Sequence, residues 1–120
     1  MPTSFDVAIV GGGTAGCAAA LSMRRCGVAR VVIIEAAAVR GRRIGESIPP
    51  DTGAVLTSLG LWPDFLIEAH QPCRGSCSAW GSAKLGFNDF LFNPHGCGWH
   101  LDRPRFDNWL AQCAVGAGAH

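Results

Sequence analysis

The sequence predicts an α/β fold: a parallel β-α-β unit, then short helices and a small antiparallel segment, together an incomplete domain. Three observations carry this. The apolar run FDVAIV at 5–10 passes straight into GGGTAG at 11–16. An alanine-rich helical stretch then leads to a second apolar run, VVIIE at 31–35, of the kind buried in parallel sheets. Finally, residues 73–99 are rich in glycine, aromatics and cysteine and lack helical periodicity.

Taken in order, residues 5–35 form the β-α-β unit. Arg24 and Arg25 close its helix, and Gly27 ends it. The segment AAAVRGRRIGESIPP reads as a loop, its cofactor-facing part spanning about 40–50. Asp51 to Leu59 reads as a helix capped by Asp51 and stopped by Gly60, and Trp62 to His70 as another. CSAWGS and KLGFNDFLF read as antiparallel strands. A last helix covers about 104–114, with Trp109 in its core at helical spacing from Phe106 and Cys113.

The glycine loop matches G-x-G-x-x-G in its proper context, after a strand and opening a helix. Gly11 permits the turn, Gly13 lets a pyrophosphate approach the backbone, and Gly16 lets helix and strand pack closely. The helix N-terminus offers amides and a positive dipole end to the diphosphate. Glu35, nineteen residues after Gly16, is placed for a ribose hydroxyl, and its charge disfavours a 2′-phosphate. This is a Rossmann-like dinucleotide site, and these residues alone leave FAD and NAD both open.

Composition excludes other classes. Formal charge is +1 and 48% of residues are apolar, which supports neither nucleic-acid binding nor disorder. No run is long enough to span a membrane, and no basic n-region marks a signal peptide, so a cytoplasmic protein is expected. Six cysteines without a secretory signal are expected to be reduced, with Cys17, Cys26 and Cys113 acting as small buried residues in helices. Cys73, Cys77 and Cys97 with His95 or His100 lack paired CxxC spacing, so no metal is expected. Nothing places a histidine beside a nucleophile.

FDVAIVGGGTAGCAAA, VVIIE, GRRIGESIPP and GWHLDRPRFDNWLAQCAVGAGA together resemble the N-terminal part of FAD-dependent monooxygenases and tryptophan-halogenase-like flavoproteins. Gly45-Glu46-Ser47-Ile48-Pro49-Pro50 carries the G-E-S-x-x-P segment. Arg103, Phe106, Asp107, Leu110 and Ala114 carry the arginine and following helix. The resemblance implies FAD. Gly11, Gly13, Thr14, Ala15 and Gly16 would cradle the pyrophosphate and Glu35 would hold the adenosine ribose. Arg42 or Arg43 would face adenosine or pyrophosphate, Gly45, Glu46 and Ser47 would lie nearer the flavin, and Arg103 would approach the cofactor from its helix. The alternatives are a solvated pair for Arg42 and Arg43, and an ion pair to Asp102 or Asp107 for Arg103.

By the same resemblance the parent protein acts on a small-molecule or peptide-bound aromatic substrate, with a flavin reductase or NAD(P)H as electron source. A halogenase would need a relay lysine around HQPCRGSCSAW. The chain's one lysine is Lys84, beyond Trp80. The expectation is therefore a FAD-dependent oxidoreductase of hydroxylase (monooxygenase) type. The alternatives are a flavin-dependent halogenase or a non-catalytic nucleotide-binding remnant. The chain lacks the family's later Gly-Asp dipeptide, and two parallel strands leave sheet edges uncovered. An N-terminal fragment, inactive alone, is the expectation.

Overall fold

A computed structural model describes residues 2–37 and 41–120. In chain order its elements are β1 (Val7–Val10), α1 (Thr14–Arg25), β2 (Val31–Ile34), β3 (Ser47–Ile48), α2 (Thr52–Ser58), α3 (Trp62–Ile67), β4 (Gln71–Cys73), β5 (Gly75–Ala79), β6 (Leu85–Asp89), β7 (Gly98–His100) and α4 (Arg103–Gly116). They divide into two compact units, Met1–Arg43 with Arg103–His120, and Ile44–Asp102.

The first unit is the expected β-α-β motif with α4 added. Strands β1 and β2 run parallel in the register Val7↔Val31 to Val10↔Ile34. On β2's other edge, the Ile33 amide donates to the His120 carbonyl (2.7 Å) and the His120 amide to the Val31 carbonyl (2.9 Å). That alternation is a parallel bridge, so the edge expected to be bare is partly satisfied by the chain's last residue. Helices α1 and α4 share a core of Cys17, Ala20 and Leu21 facing Phe106, Leu110 and Ala114. Their four-residue spacing puts each set on one face. Trp109 is half-buried with its ring 5.6 Å from that of Phe106, as its spacing predicts.

Glycines end the helices through a repeated device. After α1, the Gly27 amide donates to Arg24 and the Val28 amide to Met23; after α4, Gly118 donates to Val115 and Ala119 to Ala114. Both glycines have positive φ, 89° and 93°. This paired pattern is the Schellman stop, and it satisfies carbonyls the helix leaves open. Arg24 does more than favour the dipole: its Nε donates to the Ala117 carbonyl (2.8 Å), and its Nη1 donates to the Val28 and Ala29 carbonyls. One guanidinium thus ties the end of α1 to the end of α4.

The second unit holds α2, α3, the three-stranded antiparallel sheet β3-β7-β4 and the antiparallel hairpin β5-β6. Its core joins Leu56, Leu61, Phe65, Cys73, Leu101 and His70. Trp99 packs edge-on against Phe65 (5.4 Å) and Trp62 (6.2 Å), whereas Trp80 is exposed. Gly98 is required where β7 meets β3, since a Cβ there would lie 2.4 Å from the Ile48 carbonyl oxygen.

Several local expectations are corrected. Asp51 does not cap α2 with its side chain; it is itself helical, and amides of Thr52, Gly53 and Ala54 donate three residues back to Pro49, Pro50 and Asp51. Two prolines preset that tight turn, so the carboxylate is not needed. Helix α3 stops at Ile67, because Ala69 turns to φ 53°. The segment expected as loop contains β3, and its Arg40 lies outside the described residues. The first hairpin strand is Gly75–Ala79, so Trp80 falls just beyond it. Cys26 caps α1 and is exposed, while Cys113 is half-buried; among the described residues no disulfide joins any of the cysteines.

Candidate functional site

The glycine loop is set by two close approaches. Gly11 leaves β1 at φ 102°, a conformation that side chains rarely adopt, and its amide continues the ladder to the Ile34 carbonyl (2.8 Å). A Cβ on Gly16 would lie 1.8 Å from the Gly11 carbonyl oxygen and 3.3 Å from Ile9 Cγ2, so only glycine lets α1 start this close to the turn. Gly13 is the N-cap of α1, extended and without a side-chain cap. A Cβ placed on it would meet only Arg43 Nη1, at 3.4 Å.

Two side chains brace this loop. Glu35, one residue past β2, accepts from the Gly12 amide at Oε2 (2.7 Å) and from the Ala37 amide at Oε1 (3.0 Å). Its carboxylate is therefore fixed at the end of β2, beside the glycine loop. On the other side, Thr14 Oγ1 donates to Asp107 Oδ1 (3.1 Å). Arg103 Nε donates to the same oxygen (3.2 Å), and its Nη2 donates to Asp107 Oδ2 and to Thr14 Oγ1, both at 3.3 Å. Arg43 Nε stands 3.9 Å from Asp107 Oδ2.

Asp107 is 1% exposed, so this carboxylate is the buried hub of a cluster carrying two guanidinium groups at the mouth of the loop. An uncapped helix N-terminus, a backbone face open at Gly13, a ribose-level carboxylate and a neighbouring arginine suit the diphosphate and adenosine ribose of FAD.

The structure thus brings together, in the first unit, Gly11, Gly13, Thr14, Ala15, Gly16, Glu35, Arg43 and Arg103. The Thr14 hydroxyl is engaged by Asp107, leaving its amide for a ligand. Arg103 makes the ion pair to Asp107 that the sequence held as an alternative. Arg42 is exposed. Gly45, Glu46 and Ser47 belong to the second unit. There Gly45 has φ 95°, the Glu46 carbonyl accepts from the Leu101 amide (2.6 Å), and Ser47 Oγ lies 3.0 Å from His100 Nδ1. Asp107 was missed as a site residue. Its signal was the order Arg103-x-x-x-Asp107 at a helix start, a base where the dipole favours an acid. Among the described residues no three His, Cys, Asp or Glu side chains gather as a metal site. No helix among them is long and apolar enough to cross a membrane.

Parallel strands joined by a glycine turn, with acid and arginines around it, define a Rossmann-like dinucleotide-binding protein. The chain belongs to the tryptophan halogenase family, whose pattern it matches over residues 6–93. It is 33% identical to a putative FAD-dependent oxidoreductase, LodB of Marinomonas mediterranea, across 96% of the chain and 31% of that protein. It is 31% identical to a 1H-pyrrole-2-carbonyl-[peptidyl-carrier protein] chlorinase of Pseudomonas fluorescens, across 96% of the chain and 30% of that enzyme. The solved myxobacterial chondrochloren halogenase CndH, an FAD-dependent halogenase, superposes on 98% of the chain with a TM-score of 0.84 and 28% identity, over 28% of its own length. The chain therefore spans under a third of each relative. These relatives imply FAD as the cofactor, as the sequence led one to expect. They favour the halogenase alternative over the hydroxylase reading that the missing lysine had put first.

Proposed function

We propose that this chain is the N-terminal part of the FAD-binding domain of a flavin-dependent halogenase. The halogenase part of the reading is supported by the family match, and the cofactor site by the braced glycine loop, where Gly16 seats α1 against the Gly11 carbonyl and Glu35 grips the Gly12 amide. Gly11, Gly13, Ala15 and Gly16 receive the diphosphate with the Thr14 amide, Glu35 takes the adenosine ribose, and Arg43 adds a forked charge. Arg42 serves the adenosine side, and Arg103 acts through its contacts at Thr14. Gly45, Glu46 and Ser47 line the flavin side. FAD held there would supply the redox and oxygen-activating chemistry, with a flavin reductase or NAD(P)H as electron source. The substrate is an electron-rich aromatic, either free or carried on a protein, by analogy with the carrier-protein chlorinase.

A second reading, oxidation without halide, is supported by one observation. The chain's single lysine is Lys84, in the turn between β5 and β6, while β4 and its surroundings carry Cys73 and Arg74. An arginine stays protonated and cannot serve as a nucleophilic amine. The test supplies reduced FAD, dioxygen and bromide to the protein expressed from its own gene, with an enolisable 1,3-diketone as halogen acceptor. Bromination of the diketone upholds the halogenase. Oxygen uptake without halide, faster than that of free reduced FAD alone and with no brominated product, selects the second reading.

A further inference from the structure

The cluster around Asp107 contains a puzzle that helix energetics cannot explain. Arg103 is the first residue of α4, where the macrodipole disfavours a cation, and it precedes its acidic partner by four positions, the weaker orientation for such a pair. A carboxylate this deeply buried also costs desolvation that a well-packed apolar residue would avoid. Moreover, Asp107 brings negative charge to the edge of a loop suited to an anion. Electrostatics alone would select against it.

What the carboxylate does offer is direction. It accepts from the Thr14 hydroxyl on α1 and from two atoms of Arg103 on α4, and it faces Arg43, whose Nη1 is the neighbour of any group placed on Gly13. The Arg43 side chain is 38% exposed and that of Arg103 14% exposed. Without the Asp107 charge 3.9 Å from its Nε, Arg43 would sample many rotamers and turn outward to water. We propose that Asp107 is a positioning residue for the cofactor's diphosphate: it holds Arg43 over Gly13 and fixes Thr14, and thereby the first turn of α1. Its service outweighs its unfavourable charge. This rests on the flavin reading above and names a role within that site.

The two opposing effects give the test its sign. Asp107→Asn keeps the shape and makes the cluster one unit more positive, so a purely electrostatic site would bind FAD or ADP more tightly. Positioning predicts the reverse, about tenfold to a hundredfold weaker binding of both, the scale of a lost charge-assisted hydrogen bond. Titrations follow flavin fluorescence for FAD and heat for ADP, at a temperature where circular dichroism shows both proteins folded. Arg43→Lys keeps the charge but loses the fork, and is expected to weaken FAD about tenfold while leaving the unliganded melting midpoint in place. The double variant should be no weaker than the poorer single one, because both disable one device.

Equal or tighter FAD binding by Asp107→Asn overturns the proposal, as do additive losses in the double variant. Should Asp107→Asn fail to fold, Arg43→Lys decides, and wild-type affinity there overturns it as well. Failure of the wild-type protein to bind either ligand is a different result, and removes the flavin reading itself.

Discussion

Replacing Gly16 by alanine tests how the loop is built. The added Cβ would stand 1.8 Å from the Gly11 carbonyl oxygen, and real Cβ atoms essentially never approach within 3.0 Å. The group it would strike is fixed. The oxygen is backbone, and the Gly11 amide behind it is held by Ile34. Relief therefore requires the first turn of α1 to retreat by more than an ångström, carrying Thr14 away from Asp107. Overpacking of this kind costs about 3 kcal/mol, the upper end for such insertions. Two other glycines calibrate it. Gly11→Ala meets open space but sits at φ 102°, so it is expected to cost about 1–2 kcal/mol from backbone strain alone. Gly41→Ala meets nothing and has no left-handed φ, so it should stay within about 0.5 kcal/mol of wild type. Urea denaturation followed by circular dichroism measures all three. The order Gly16→Ala, Gly11→Ala, Gly41→Ala in falling severity is expected; a Gly16→Ala protein as stable as Gly41→Ala would refute the close-approach argument.

Other expectations follow from single contacts. Ala69→Gly should stabilise by about 1 kcal/mol, because Ala69 occupies the left-handed stop position after α3 at φ 53°; a lower denaturation midpoint would contradict this. Arg24→Ala should destabilise by about 2 kcal/mol, since three carbonyls at the ends of α1 and α4 lose a charged donor; an unchanged midpoint would show that water replaces it. The hydrogen bond from Arg30 holds the Asp6 carboxyl below its usual range. A depressed carboxylate pKa stabilises above the unfolded value of about 3.9, and the contribution disappears as pH falls through the folded value. The melting-temperature gap between wild type and Asp6→Asn should therefore be flat near neutrality and close in acid, and be small throughout because the pair is exposed.

Much of this was legible in local sequence. Gly27 and Gly60 marked helix ends because a left-handed stop needs glycine, and Gly11 to Glu35 marked the dinucleotide motif because its spacing is fixed within one β-α-β unit. What could not be read joins distant residues. The Thr14–Asp107 bond spans 93 positions, and the Ser47–His100 contact follows from the register of β3 on β7, two short strands without strong alternation. The Asp51 cap failed because Pro49 and Pro50 supplied a turn that made a side-chain cap unnecessary. The choice between hydroxylase and halogenase turned on a lysine expected from one segment, whereas the relatives bear on the chain as a whole.

The most direct test of the account is equilibrium titration of the purified protein with FAD and, in parallel, NAD. Saturable FAD binding with a shifted flavin spectrum, tighter than NAD and lost in Gly16→Ala, is the predicted result. No FAD uptake, or a preference for NAD, would contradict it.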